Sequence, residues 1–166
     1  YKIFDSVFEL GYGWATVHAR SVEQKYNGPS RWGFLKSLIE NRPDSLVFGS
    51  GDIWCAADIF RMMNETGVHG VSVARGCIGN PWIFTQARAL MAGQEPLTPL
   101  IQEQREVLLE HFDLCMKLHG EQPASRMMRK FGIRFSTHHP KAKQVKNGFI
   151  QVKSLEEWKQ VVKQFY

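Results

Sequence analysis

The sequence predicts an α/β fold: a partial (β/α)8 TIM barrel made of its last three βα units, followed by a small all-α helical domain. Three observations predict it. Short apolar strands alternate with amphipathic helical segments through the first half, which is the signature of βα units laid on a parallel sheet. From about Leu97 the pattern changes to helices alone. Three strands can neither cover both faces of a parallel sheet nor close a barrel, so the first half reads as the tail of a larger one. The two domains are expected at residues 1–96 and 97–166.

Trp14–His18 reads as a strand ending in a polar residue, and Arg31–Glu40 as a helix with Trp32, Leu35, Leu38 and Ile39 on its apolar side. Leu46–Gly49 is the next strand. Ala56–Thr66 follows as a helix burying Ile59, Met62 and Met63, with Gly67 as its C-terminal cap. Gly70–Ala74 is the third strand, and Asn80–Pro81 is expected to open a helix, Asn as N-cap and Pro at the first helical position. Beyond Leu97, a long helix starts at Thr98 or Pro99, repeats Val107, Leu108, Phe112, Cys115 and Met116 at helical spacing, and stops at Gly120. Ala124 to about Thr137 forms a second helix with Met128, Phe131 and Phe135 on one side. Pro140 ends it, Lys141–Gly148 reads as a loop, and Leu155–Phe165 is a last helix with Ser154 as N-cap and Glu157 at the capping-box position.

With 166 residues, 43% of them hydrophobic, the chain has the composition of an ordinary globular protein. No apolar run approaches the roughly 20 residues of a membrane span, and the first residues lack a signal-peptide pattern, so no membrane association and a cytoplasmic address are expected. Cys55, Cys77 and Cys115 are widely spaced and form no CxxC, which indicates neither a disulfide framework nor a zinc site. They read as reduced thiols, mostly buried, and no metal is expected. Net charge is +5, and its distribution matters more than its size. Between Gln122 and Leu155 stand eight Lys and Arg residues and no Asp or Glu, whereas the remainder holds 13 basic against 16 acidic residues. Such a segment either faces a polyanion or is a solvated basic face. Arg126, Lys130 and Arg134 recur at i, i+4 and i+8, a stripe apart from Met128, Phe131 and Phe135.

In a (β/α) barrel, chemistry sits at the C-terminal ends of the strands, and phosphates settle on the last loops. After the second strand comes Gly49-Ser50-Gly51-Asp52, whose glycines let the backbone approach an anion and whose aspartate can cap the following turn. After the third comes Ala74-Arg75-Gly76, which adds a permanent cation. Both loops read either as a phosphate site or as ordinary tight turns. His18 and Arg20, after the first strand, read as cofactor or substrate contacts or as structural residues. Cys77 has no partner base placed near it by sequence, so it reads as a packed small residue. The five tryptophans are dispersed and are assigned to the core or its edges.

Thr16-Val-His-Ala-Arg20 with Gln24, Tyr26 and Gly28, then Gly49-Ser-Gly-Asp-Ile53, then Ala74-Arg-Gly-Cys-Ile-Gly-Asn-Pro-Trp-Ile-Phe84, resembles the tRNA-dihydrouridine synthase family in order and spacing. Met128-Arg-Lys-Phe131 resembles the Arg-Lys motif of that family's helical domain. The resemblance implies a TIM barrel binding FMN, reduced by NADPH, that passes hydride to a uridine C5–C6 double bond in tRNA while a cysteine supplies the proton. It implies that His18 touches the flavin, that Ser50, Gly51 and Asp52 form one phosphate-side loop and Ala74 and Arg75 the other, and that Arg129 and Lys130 face tRNA; the spacing alone adds Arg126 and Arg134 as RNA-binding candidates. The family usually has Asn where Ser50 stands, which removes one side-chain contact and spares the backbone ones. No catalytic residue is assigned within this chain: the cysteine is expected in a missing N-terminal half, the chain reading as an excerpt of a longer protein in preference to a truncated gene product. Two other readings remain at this point, a non-catalytic tRNA-binding fragment and a flavin or phosphate-binding barrel enzyme acting on a small molecule.

Overall fold

The structure, a computed structural model, describes residues 1–166. It is an α/β fold with one three-stranded parallel sheet, β1 (Ala15–His18), β2 (Val47–Ser50) and β3 (Gly70–Ser72), in the order β1-β2-β3. Eight α-helices accompany it: α1 (Lys2–Glu9), α2 (Trp32–Asn41), α3 (Ala56–Thr66), α4 (Ile83–Met91), α5 (Ile101–His119), α6 (Glu121–Phe135), α7 (Ala142–Gln151) and α8 (Leu155–Phe165). The chain divides into two compact units, one of residues 1–77 and 83–95, the other of residues 78–82 and 96–166. No helix is long and apolar enough to cross a membrane.

In the first unit, strand alternation sorts the side chains. Val47 and Gly49 of β2 are buried under helices, while Phe48 and Ser50 point to the opposite, more open face. Gly49 is required by this packing: a Cβ there would lie 2.6 Å from Met62 Sδ and 3.1 Å from Leu35 Cδ1, so α2 and α3 close directly onto the strand. Leu35, Leu38, Val47, Met62 and Ile83 are all at most 1% exposed and form the centre of this core. Helix α3 starts where the Asp58 carboxylate accepts the Trp54 and Cys55 amides at 2.8 and 3.1 Å. It stops at Gly67, φ 77°, the left-handed cap expected of glycine. Helix α4 begins at Ile83, later than the Asn80–Pro81 opening, because Pro81 and Trp82 form a turn that precedes it. Helix α1 is not among the elements the sequence predicts; it buries no residue fully, and Asp5 ties it to Arg42 at 2.6 Å.

The second unit is a helical cluster around Trp158, which is fully buried, donates Nε1–H to the Met128 carbonyl at 3.2 Å and packs its ring against Phe112 and Phe149. The loop expected over Lys141–Gly148 is instead helix α7. Val145 and Phe149, one turn apart, are both fully buried, and their shared face outweighs the turn signal of Asn147-Gly148 and the exposed lysines. Phe149 lies against Gly132 of α6, where a Cβ would sit 2.6 Å from its ring, so the two helices meet at a position without a side chain. Helix α6 starts at Glu121, ahead of Ala124, since Pro123 falls in a first turn whose amides need no intrahelical partner. At α8 the Ser154 hydroxyl accepts the Glu157 amide at 3.2 Å, and the Glu157 carboxylate turns back to the Lys153 amide at 2.6 Å.

Candidate functional site

Parallel register sets His18, Ser50 and Ser72 side by side at the C-terminal ends of β1, β2 and β3. His18 Nδ1 lies 3.3 Å from Ser50 Oγ. Past β2 the chain turns through Gly51 and Asp52, both at positive φ, 128° and 54°. A side chain at Gly51 would also collide, since its Cβ would stand 2.9 Å from Ser30 Cβ. Its carbonyl accepts the Trp32 indole N–H at 2.9 Å, so the first residue of α2 anchors this loop. Past β3 a single 3-10 turn, Arg75–Cys77, comes so close to the first loop that a Cβ on Gly76 would fall 2.0 Å from the Ile53 carbonyl oxygen. Both strand-end loops are therefore held by glycine at fixed backbone approaches.

Asp52 is the electrostatic centre of the cleft. Its carboxylate accepts the Ser30 amide at 2.6 Å and Arg20 Nη2 at 2.8 Å, and meets Arg75 Nη2 at 3.3 Å. Partial burial pushes its carboxyl up, but hydrogen bonding from Ser30 and the charges of Arg20 and Arg75 outweigh that effect and hold it below its usual value. Asp52 was expected to cap the next turn; Asp58 does that, and Asp52 binds the two guanidiniums instead. The Arg20 side chain is 5% exposed and also donates to the Gly28 carbonyl at 2.9 Å. Arg75 is the open partner, 37% exposed, with its guanidinium 4.5 Å from the Tyr26 ring centre and 4.8 Å from that of Trp54. One carboxylate against two guanidiniums leaves a net positive charge, and Arg75 is the group that presents it. The cleft, about 30 Å³, is lined by His18, Ser50, Gly51, Asp52, Ile53, Trp54, Ser72, Ala74 and Arg75. At about 10–15 Å³ per water-sized group, that is room for two or three such groups.

In the second unit, Arg126, Arg129, Lys130 and Arg134 all stand exposed on α6. None of the basic residues from Gln122 to Leu155 forms an ion pair, as a stretch without acids implies. Arg126, Arg129, Lys130 and Lys153 rim one groove beside the helix, over Ile133 and Val152.

The sequence model of the family described as dihydrouridine synthase (Dus) matches residues 1–166. The chain belongs to the dihydrouridine synthase family. Among its relatives are a probable tRNA-dihydrouridine synthase of Mycobacterium leprae, 33% identical over 85% of this chain and 37% of the relative. A tRNA-dihydrouridine(47) synthase [NAD(P)(+)] of Cryptococcus neoformans is 38% identical over 49% of this chain and 13% of its own length. A probable tRNA-dihydrouridine synthase of Rickettsia prowazekii is 29% identical over 91% of this chain and 46% of its own. The chain thus spans less than half the length of these relatives.

The six residues expected at the strand ends, His18, Ser50, Gly51, Asp52, Ala74 and Arg75, line one cleft. Ser72 carries no signal in its own segment, because its place beside Ser50 depends on strand register. Trp54 was assigned to the core or its edges; it is 46% exposed and stacks on Arg75. The cysteines also differ from expectation: only Cys115 is buried, and burial pushes its thiol up, while Cys55 is exposed at the start of α3. Cys77 is half-buried, with its Sγ donating to the Ala74 carbonyl at 2.9 Å.

Proposed function

We propose that this chain supplies the flavin phosphate site and an RNA-facing helical region of an oxidoreductase that reduces uridine in tRNA to 5,6-dihydrouridine with NADPH. The sheet is then the last three strands of a (β/α)8 TIM barrel, residues 1–96 the FMN-binding part and 97–166 the tRNA-binding domain of a cytoplasmic enzyme. The observation that carries the reading is the cleft at the strand ends, where an open guanidinium stands over two loops locked at Gly51 and Gly76. The residues fit a phosphate ester. Arg20 and Ser30 already satisfy the one carboxylate, the Ser50 and Ser72 hydroxyls can donate, and the space admits phosphate oxygens.

Arg75, with Ser50 and the backbone of Gly51 and Ala74, would hold the phosphate of FMN, and Asp52 would keep Arg75 in place from behind. His18, next to Ser50, would touch the flavin. When bound, the reduced flavin supplies hydride to the uridine C5–C6 bond. Arg126, Arg129, Lys130 and Arg134 would neutralise tRNA phosphates and position the substrate without reading its bases. The proton donor would be a cysteine outside these residues, as the family resemblance implies.

The test is titration of the chain with FMN and riboflavin, followed by flavin fluorescence and by the 31P resonance of FMN. Weak FMN binding that inorganic phosphate displaces, no riboflavin binding, and a roughly 10- to 100-fold loss in Arg75→Ala are expected, the range of a charge-assisted hydrogen bond. Equal binding of FMN and riboflavin, or an unchanged affinity in Arg75→Ala, would remove Arg75 from the site.

A further inference from the structure

A second groove beside α6, about 640 Å³, is not explained by phosphate contacts alone. Its floor is apolar, formed by Ile78, Met127, Phe131 and Ile133, and its rim carries Lys130, Arg134 and Lys146 with no acidic residue. The way the chain builds it is specific. Gly79, φ 89°, runs so close to α6 that a Cβ would stand 2.7 Å from the Arg134 backbone carbonyl carbon, and this approach seats Ile78, 41% exposed, in the groove. Trp82 then packs edge-on against Phe135, with ring centres 5.9 Å apart. The Phe131 ring lies 4.4 Å from that of His111, which burial holds below its usual pKa, so the imidazole adds no charge near neutrality.

A solvated basic face has no need of an apolar depression, and phosphate groups alone have no use for one. What satisfies both the floor and the rim is a flat group with apolar faces attached to an anionic backbone. Its size, within the roughly 300–1,000 Å³ of small-molecule sites, suits one nucleotide. We propose that this groove takes a single unstacked nucleotide of a bound RNA, its base against Phe131 and Ile133 and its phosphates toward Lys130, Arg134 and Lys146. Thr137 adds one polar point: its hydroxyl donates to the Arg134 carbonyl at 2.8 Å, which leaves the oxygen free to accept from a base N–H. A paired helix cannot present a base in this way, so the groove selects single-stranded loops, bulges or ends. The inference rests on the RNA-facing reading of α6.

The experiment compares binding of the chain to an RNA hairpin with one unpaired nucleotide and to the same hairpin fully paired, at several salt concentrations. A 2-aminopurine at the unpaired position reports stacking. The wild type is expected to prefer the unpaired form and to change the 2-aminopurine emission. Phe131→Leu, which keeps apolar volume against the core, should weaken binding of the unpaired form about 5- to 100-fold and leave the paired form and the salt slope unchanged. Ile78→Ser, at a residue outside the core, should show the same selective loss and supplies an independent reading. Equal wild-type affinity for both hairpins, or variants that weaken both alike, overturns the nucleotide groove while leaving the RNA-facing helix in place. Absence of salt-sensitive binding to either hairpin overturns both.

Discussion

Replacing Asp52 by Asn should destabilise the first unit by about 2 kcal/mol. The substitution keeps the side-chain shape and one acceptor but removes the charge that faces Arg20 and Arg75 at 2.8 and 3.3 Å. Breaking a fully buried pair costs about 3–5 kcal/mol, because the surviving charge is left without a partner. Arg20, 5% exposed, approaches that case, but Asp52 is 20% and Arg75 37% exposed, so solvent screens part of the loss and the Arg75 contact adds little. The remainder is close to one charge-assisted hydrogen bond, about 1.5–3 kcal/mol. Urea unfolding followed by tryptophan fluorescence measures it, since Trp32 bonds to Gly51 and Trp54 stacks on Arg75. With a slope of about 2 kcal/mol per M, the midpoint should fall by about 1 M. The sign of the pH dependence follows from the lowered carboxyl of folded Asp52. Its contribution is present above the unfolded aspartate value of about 3.9 and is lost as pH falls through the folded value, so wild type and Asp52→Asn should converge in that acid window. A difference below about 0.5 kcal/mol at neutral pH, or one that persists unchanged into acid, would refute the hub role of Asp52.

Gly76→Ala should displace the Arg75–Cys77 turn, because its Cβ would meet the Ile53 carbonyl oxygen at 2.0 Å; loss of FMN-phosphate binding with retained helical circular dichroism is the expected result. Phe149→Ala should cost about 3–5 kcal/mol in urea unfolding, as for a large buried ring, whereas a residue in a solvated loop would cost almost nothing. Gly49→Ala should cost about 1–3 kcal/mol by overpacking against Met62 and Leu35.

The strands were legible as short apolar runs, and the helices α2, α3, α5 and α8 because each buries one face at helical period, with Gly67 and Ser154 as recognisable caps. Helix α7 was not, because Lys141, Lys143, Lys146 and Asn147-Gly148 resemble a solvated turn locally, and only the distant partners of Val145 and Phe149 make the segment helical. The site divides the same way. His18, Ser50 and Arg75 were visible as polar residues at strand ends, whereas the alignment of Ser72 with Ser50 follows from strand pairing that no single segment encodes. The arrangement around Asp52 was hidden for a related reason: its partners Arg20, Ser30 and Arg75 come from three loops that only the folded sheet brings together.

The RNA-facing role proposed for α6 is tested by the salt dependence of tRNA binding. Arg126, Arg129, Lys130 and Arg134 are exposed, and no acid stands between Gln122 and Leu155 to neutralise them. A filter-binding series over several salt concentrations compares the wild type with Arg126→Ala, Lys130→Ala and Arg134→Ala. Each substitution should flatten the slope of log K against log salt by about 0.7–0.9 and weaken different tRNAs to a similar degree, since each removed cation releases about one counterion fewer. Wild-type slopes in all three variants would rule out tRNA contacts along α6 and return the stripe to a solvated face.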